Sequence, residues 1–471
     1  MTRDNRRLRL MAIWPPDPDA LRRPAWRSLV EAVEAAIEAG ALAPGHRLPT
    51  HRRLAQDLGL GTQTVGRAYE ELTRRGRVRG EVGRGTFVAA PRAAARTPFP
   101  ADRTPEEVVD LSMLKPVPDP EAAAALARAL AAVARAMPEP VVSSFRPSTV
   151  AAAAEGATRT WLGACGLDPG RAALLTNGAT GAMTAALMTA ASPGDLVVSE
   201  EVGHHTLRPL ARHLGLRVRG LPVDEEGLAP DALDALCRAE PVRAAYLMPT
   251  GLNPLGFVMG LARREALVAV ARRHGVLLVE NDAWGPLLAD RPPPLASLAP
   301  ERTLWFSSLT KCVMPGLRLG WLVVPERLEG AAANRHLVSA WMATALLAEI
   351  GARLVEDGTA LRLVERQRAA LTERLARARA ALGGRPLRAG PGGGMHLWIP
   401  LPEPWGEDAF VAHARRRGVA LAPGSAFAIA EATRHRGIRL CLGGEEDAAF
   451  ARGLAIAARL LGSEPEPALL V

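Results

Sequence analysis

Four short apolar runs set the tightest limit on what this chain of 471 residues can fold into. They are AALLT (172–176), AAYLM (244–248), VLLVE (276–280) and TLWFS (303–307). A run that is apolar at successive positions, rather than at alternate ones, has to be covered on both faces. Such runs alternate with helical stretches from about Val108 onward, which predicts a mostly parallel α/β sheet with helices on both sides. Ligands of these sheets collect at the carboxyl ends of the strands. The residues that follow each run are therefore the ones to read.

The first run leads through TNGATGAM (176–183) into a helix holding Met183 to Leu187. Gly178, Ala179 and Thr180 at its start would expose backbone amides, which suits a phosphate, although a tight strand-to-helix turn accounts for them equally well. The second run leads to PTGLNPLG (249–256), where Asn253 sits in a Pro-flanked loop and can donate to a phenolate-like oxygen. The third ends in ENDAW (280–284), and Asp282 there either holds a proton on a pyridine nitrogen or caps a helix. The fourth delivers Ser308, Thr310, Lys311 and, seven residues on, Arg318.

Composition enters at Lys311. Of 58 basic residues only Lys115 and Lys311 are lysines. An amine condenses with an aldehyde, whereas a guanidinium stays protonated and is not nucleophilic at neutral pH. Phosphate grip, ring-oxygen donor, ring-nitrogen carboxylate and amine, in one order along one sheet, suit pyridoxal 5'-phosphate. Lys115, in LKPVPDP, reads as a loop charge.

The net charge of +9 is concentrated at one end. Between Met1 and Arg96 there are 18 Arg against 10 Asp plus Glu, which leaves about +1 for the remaining 375 residues. A polyanion is the natural partner for such a segment. Within it, residues 26–39 have helical apolar spacing, and a second helix follows Thr50, a plausible N-cap. TQTVGRAYEELTRRG then puts Val65, Ala68, Tyr69 and Leu72 on one stripe and turns Gln63, Thr64, Arg67 and Arg74 elsewhere. RVRGEVGRGTFV reads as a hairpin around a Gly-rich turn that carries Arg84. Three helices and a hairpin make a winged helix-turn-helix, though a small helical domain with a solvated basic face fits the pattern too. PRAAARTPFPADRTP (91–105) reads as a linker.

Length predicts about two to four structural units. Four widely spaced cysteines fit reduced thiols, and no metal site is expected. No apolar run long enough for a signal peptide or membrane span follows the basic start, which points to a cytoplasmic protein.

Residues 40–88, with G-x-L-x-P-G-x-R-L-P-T-x-R-x-L-A, T-V and G-R-G-T-F-V, resemble the GntR family of bacterial repressors. The resemblance implies DNA contacts from Arg52, Thr64 and the wing residue Gly85, with Arg47, Thr50, Thr62, Gln63, Arg67 and Arg84 completing the candidate set. The family's usual Ser-Arg before the recognition helix is replaced by Gly61-Thr62. From about Val108 to Leu461 the chain resembles a fold-type I, class I/II aminotransferase, on N-P-x-G and S-x-x-K-x-x-x-P-G-L-R-L-G. That likeness implies a large part (about 108–330) and a smaller C-terminal α+β part (about 331–471). Lys311 would be the internal aldimine lysine, and Arg318, Ser308, Thr310 and the amides of Gly178, Ala179 and Thr180 the phosphate site. Asp282 would face the ring nitrogen and Asn253 the ring hydroxyl. Arg439, in HRGIRLCLGG, would clamp a substrate carboxylate, unless it is a surface arginine on an edge strand. Where the family has a tyrosine near the ring oxygen the candidate is Trp284, and where it has a stacking aromatic the candidate is His204. The combination resembles the MocR subgroup of regulators. It implies domains at 10–90 and 108–471 joined by a linker over 91–107, a head-to-tail homodimer on operator DNA, and an amino-compound effector. An active aminotransferase with an accessory DNA-binding domain is the alternative.

Overall fold

The computed structural model describes residues 14–18, 21–39, 41–43, 45–74, 77–81, 85–88, 108–390, 394–403, 405–430 and 435–463. The chain divides into two units, residues 1–99 and 100–471. The expected linker at 91–107 and Arg84 lie outside the described residues.

In the first unit α1 (Ala25–Glu38), α2 (His51–Asp57) and α3 (Thr62–Arg74) are followed by the hairpin strands β1 (Val78–Glu81) and β2 (Gly85–Val88). The strands pair antiparallel, Val78 opposite Val88 and Glu81 opposite Gly85. The Thr50 hydroxyl accepts from Arg53 N and caps α2, as its position predicts. The stripe read on α3 is the core face: Val65, Ala68, Tyr69 and Leu72 are buried with Leu29, Val33, Leu42 and Leu54. Gly85 has φ +118°, and a Cβ there would lie 2.9 Å from Arg47 Nε, so only glycine fits where the wing turns. The unit is a winged helix-turn-helix.

The second unit is built on seven strands: β3 (Leu174–Asn177), β4 (Leu196–Glu200), β5 (Arg217–Leu221), β6 (Ala244–Leu247), β7 (Leu277–Asn281), β8 (Thr303–Ser308) and β9 (Leu319–Val323). Their order is β3-β9-β8-β7-β6-β4-β5. Only β9 runs against the rest, antiparallel to both β8 and β3. The four runs read from the sequence are β3, β6, β7 and β8. Three further strands escape that reading: β5 alternates with three arginine and glycine positions in RVRGL, and β9 follows Arg318 inside a motif read for its chemistry. Trp161, Trp305 and Trp321 are fully buried, and Trp161 stacks on Trp321 with centroids 5.4 Å apart. The helix α4 (Gly178–Ala190) buries Ala182, Met183, Ala186 and Leu187 against the sheet.

A second sheet of four short strands follows: β10 (Arg388–Ala389), β11 (His396–Pro400), β12 (Ala422–Pro423) and β13 (Gly437–Cys441), in the order β10-β11-β13-β12. Strand β13 is interior, so Arg439 is not on an edge. Among the described residues no helix is long and apolar enough to cross a membrane.

Candidate functional site

Parallel strands with helical crossovers deliver their carboxyl ends to one edge of the sheet, and the predicted residues gather there. Ser308 closes β8 opposite Gly320 of β9, which in turn faces Thr176 of β3. A Cβ on Gly320 would lie 2.9 Å from Gly178 C and from Thr176 Oγ1 and 3.0 Å from Ser307 O. The absence of that carbon lets the start of α4 close against the end of β8. Gly178 itself takes φ +73°, and a Cβ there would meet the Arg318 guanidinium at 3.0 Å. Arg318, in the left-handed region at φ 47°, donates to Asn177 O at 3.4 Å.

This corner fits a phosphate by its own chemistry. The hydroxyls of Ser308 and Thr310 are buried with no hydrogen-bond partner, and a buried unpaired hydroxyl costs about 1–3 kcal/mol unless a ligand takes it up. They stand at the same edge of the sheet as the α4 amino terminus and Arg318, whose guanidinium makes, among the described residues, only a long bond, 3.4 Å, to Asn177 O. Ala179 is half-buried and Thr180 exposed in the first turn of that helix.

Lys311 lies in the short helix α5 (Leu309–Cys312) that follows β8. Burial, and after it the Arg439 charge, pulls its ammonium down from 10.5 to about 8. Its Nζ donates to Leu114 O at 2.5 Å. Arg439 is buried, donates from Nη1 to Asn253 Oδ1 at 2.8 Å and from Nη2 to Ser112 O, and lies over the Phe427 ring at 4.6 Å. Its Nε has no partner. The segment 112–114 thus covers both cations with backbone carbonyls, a contact for which the sequence carries no signal. The two ends of this strap are held too: Val109 N donates to Gly418 O, and the Gln367 side chain pairs with both the N–H and the C=O of Val117.

Asp282, one residue past β7, is 1% exposed in its side chain. It extends the ladder through its N–H to Phe306 O at 3.0 Å, so the helix-cap alternative does not describe it. Its carboxylate accepts from Arg291 Nη1 at 2.5 Å and from Trp305 Nε1 at 3.0 Å. Neither partner was foreseen, because Arg291 sits in a Pro-rich loop and Trp305 inside an apolar run. The ring of His204 lies 6.4 Å from that of Tyr246 and donates to or accepts from Thr206 Oγ1 at 2.8 Å. Its enclosure, with the charges of His205, Lys311 and Arg439, holds it well below the usual histidine range, so it presents a neutral face.

One expectation fails. Trp284 was to supply an N–H near the ring oxygen, but that N–H donates to Thr250 O at 2.8 Å, and the indole packs over Gly251. A buried indole N–H needs an acceptor, and the nearby carbonyl of the 249–256 loop provides one. Among the described residues, the two tyrosines are elsewhere: Tyr69 donates to Pro49 O, and Tyr246 OH accepts from Asn281 Nδ2 at 2.7 Å.

The DNA-facing candidates lie within the first unit. Thr62 and Gln63 are exposed in the first turn of α3, Thr64 is half-buried beside them, and Arg52 is exposed on α2. Arg47 lies against Gly85. Two candidates have other work: the Thr50 hydroxyl is the α2 cap, and the Arg67 guanidinium stacks on Trp26 at 4.3 Å.

Comparison with known proteins finds relatives of both units. Residues 26–88 match the family model "Bacterial regulatory proteins, gntR family". The chain is 25% identical over 435 residues to the HTH-type transcriptional regulator YdeF of Bacillus subtilis, covering 91% of this chain and 92% of that protein. It is 29% identical over 450 residues to the HTH-type transcriptional regulator YdcR of Escherichia coli, covering 86% and 92%. Among solved structures it is similar to the α-aminoadipate aminotransferase LysN of Thermus thermophilus complexed with N-(5'-phosphopyridoxyl)-L-leucine, at 25% identity and TM-score 0.68, over 76% of this chain and 92% of that one. The model "Aminotransferase class I and II" matches residues 117–451, more than two thirds of the sequence, so the chain, with its gntR-type winged helix in front, belongs to the class I and II aminotransferase family.

Proposed function

We propose that this chain is a MocR-type transcriptional regulator that binds operator DNA through its winged helix. Its second unit holds pyridoxal 5'-phosphate and senses an amino compound. The relatives that span both units are named as regulators, and the corner formed by Ser308, Thr310, Arg318 and the α4 amino terminus supports the cofactor. In this reading those groups take the phosphate, Asp282 faces the ring nitrogen, Asn253 the ring oxygen, and the neutral His204 ring covers one face. The cofactor supplies an aldehyde that condenses reversibly with amines.

The residues of the chain do the sensing. With its ammonium lowered to about 8, Lys311 is about one tenth neutral at pH 7, far more than an ordinary lysine. An effector amine competes with it for the aldehyde, and an effector carboxylate competes with the Ser112 carbonyl for Arg439. The observation that carries the regulatory reading is the strap at 112–114, whose carbonyls cap Lys311 and Arg439 and which lies near the start of the second unit, just past the short strand Val109–Asp110. A carboxylate on Arg439 removes the strap's Ser112 contact while amine capture returns Lys311 to its free form beside Leu114 O, and the linker passes the resulting change in the strap to a head-to-tail homodimer whose two winged helices read paired half-sites in the cytoplasm.

The test is a gel shift on the DNA upstream of the chain's own gene, with the cofactor-loaded full-length protein, with and without candidate amino acids. A retarded band whose affinity changes with one amine, together with a pyridoxyl adduct on Lys311 after borohydride reduction, is the expected result. Sustained turnover of an amino acid and a keto acid with no DNA binding at moderate salt would instead identify a working aminotransferase.

A further inference from the structure

The Asp282 carboxylate is more heavily engaged than a lone ring-nitrogen partner would be. Arg291 donates to one oxygen at 2.5 Å and Trp305 to the other at 3.0 Å. Arg291 also donates from Nη2 to Cys165 O, so its fork is held at both tines. The loop carrying it is fixed on either side: Glu280 accepts from Leu295 N at 3.0 Å and Ala296 N at 2.9 Å, and Arg264 donates to Pro293 O at 3.1 Å. Gly285 makes room, since a Cβ there would overlap both Arg291 and the Asp282 carboxylate. The pair is nearly inaccessible to water, 7% and 1% exposed, so its electrostatics are little screened.

The other titratable groups facing Asp282 are two thiols and the Glu280–Arg264 pair. Cys165 and Cys312 are buried and their thiols are pushed up, which keeps them neutral. Glu280 and Arg264 lie 3.9 Å apart, and burial and then the Asp282 charge push the Glu280 carboxyl up to about 7, so its titration enters the neutral range in the native chain and in variants of Arg291 together. Burial opposes the charge on Arg291, but Asp282 outweighs it and holds the guanidinium protonated.

We infer that Arg291 is a positioning residue that fixes Asp282 and offsets its charge, so that a pyridine nitrogen placed against Asp282 keeps its proton less firmly than against an unpaired carboxylate. This rests on the cofactor reading above and sharpens it. A pyridine ring that is not firmly protonated is a weak electron sink, so an amine can be captured and released while removal of its α-proton stays slow. Arg291 thereby biases the site toward reporting a ligand over transforming it.

The test uses the full-length protein loaded with pyridoxal phosphate carrying 15N in its ring, and follows the ring nitrogen by NMR from pH 6 to 9. Adduct formation on Lys311, checked by borohydride and mass spectrometry, tests the cofactor reading separately. With the adduct present, the expected result for the native chain is a ring nitrogen that loses its proton within that range. R291Q should raise the proton affinity of the ring at least tenfold, one unit on the titration axis, and, with L-alanine added as amino donor and pyruvate released, speed conversion of the bound cofactor to its amine form by a similar factor. R291K, which keeps the charge without the fork, should titrate as the native chain does. A native ring nitrogen protonated throughout overturns the inference even if no variant folds. So does an R291Q titration that matches the native one, or an R291K titration that moves with R291Q.

Discussion

Replacing Lys311 by methionine should make the cofactor-free protein more stable at neutral pH while abolishing its capture of pyridoxal phosphate. The magnitude follows from the site. A lysine lowered from 10.5 to about 8 by burial and by Arg439 carries a penalty of about 3 kcal/mol at neutral pH, at about 1.4 kcal/mol per unit. The bond from Nζ to Leu114 O returns about 1 kcal/mol, so the expected net gain for Lys311→Met is about 2 kcal/mol at pH 7. The sign of the pH dependence is fixed by linkage. The unfolded lysine binds a proton up to about 10.5 and the folded one only up to about 8, so between these values the unfolded state holds more protons and native stability rises with pH. Below pH 8 the whole penalty is present. The variant lacks this rise, so the difference between the two proteins should shrink by about 3 kcal/mol from pH 8 to 10.5. Taking the difference removes the thiols of Cys165 and Cys312, which burial keeps protonated in the folded state and which lose their protons in this window only in the unfolded chain, alike in both proteins. Urea unfolding of the large unit, followed by tryptophan fluorescence at a series of pH values, measures it. A stability difference flat across that window would refute the argument that Lys311 is held as a desolvated amine.

The remaining predictions are shorter. Ser308→Ala and Thr310→Val should each weaken cofactor binding about tenfold while leaving the cofactor-free melting temperature unchanged or slightly higher, because these hydroxyls have no protein partner to lose; equilibrium dialysis and calorimetry decide it. Gly320→Ala should cost about 2 kcal/mol or more and weaken the cofactor further, since the new carbon meets backbone at 2.9 and 3.0 Å; a chemical-denaturation midpoint within error of the native one would count against the close approach. Arg52→Ala should lower the salt slope of DNA binding by about one without altering stability. Arg67→Ala should instead destabilise the winged helix by about 1 kcal/mol through loss of its stack on Trp26, with little effect on that slope.

The architecture was legible because burial on both faces leaves a mark on every position of a strand. Runs such as TLWFS and VLLVE carry that mark, and β5, whose RVRGL alternates at the sheet edge, does not. The individual groups at the strand ends were legible for a related reason: a lysine, an aspartate or an arginine directly after an apolar run has little structural excuse. What the sequence could not disclose was how those groups pair. Asn253 and Arg439 are 186 residues apart and share a hydrogen bond, and Asp282 meets an arginine supplied by a proline loop. Trp284 shows the converse. Its place after the aspartate suggested a donor to the ring, yet a buried N–H goes to the first carbonyl within reach, and Thr250 O was closer. Backbone acceptors are invisible to motif reading because every residue has one, and the strap carbonyls at Ser112 and Leu114 were missed for the same reason.

Those two carbonyls give the resting site a ligand of its own. Any molecule that engages only Lys311, or only Arg439, displaces one carbonyl and leaves the other holding the strap down. On the proposed reading, a carboxylate that reaches Arg439 trades a neutral acceptor for a charge-assisted one, whereas at Lys311 the Leu114 carbonyl is given up only when the lysine loses its proton and condenses with an aldehyde. On that reading the strap stays down while either cation still holds its carbonyl, and so would act as a threshold to release. It would also make association a two-step process, in which the observed rate is expected to level off at the rate of strap release as the ligand concentration rises.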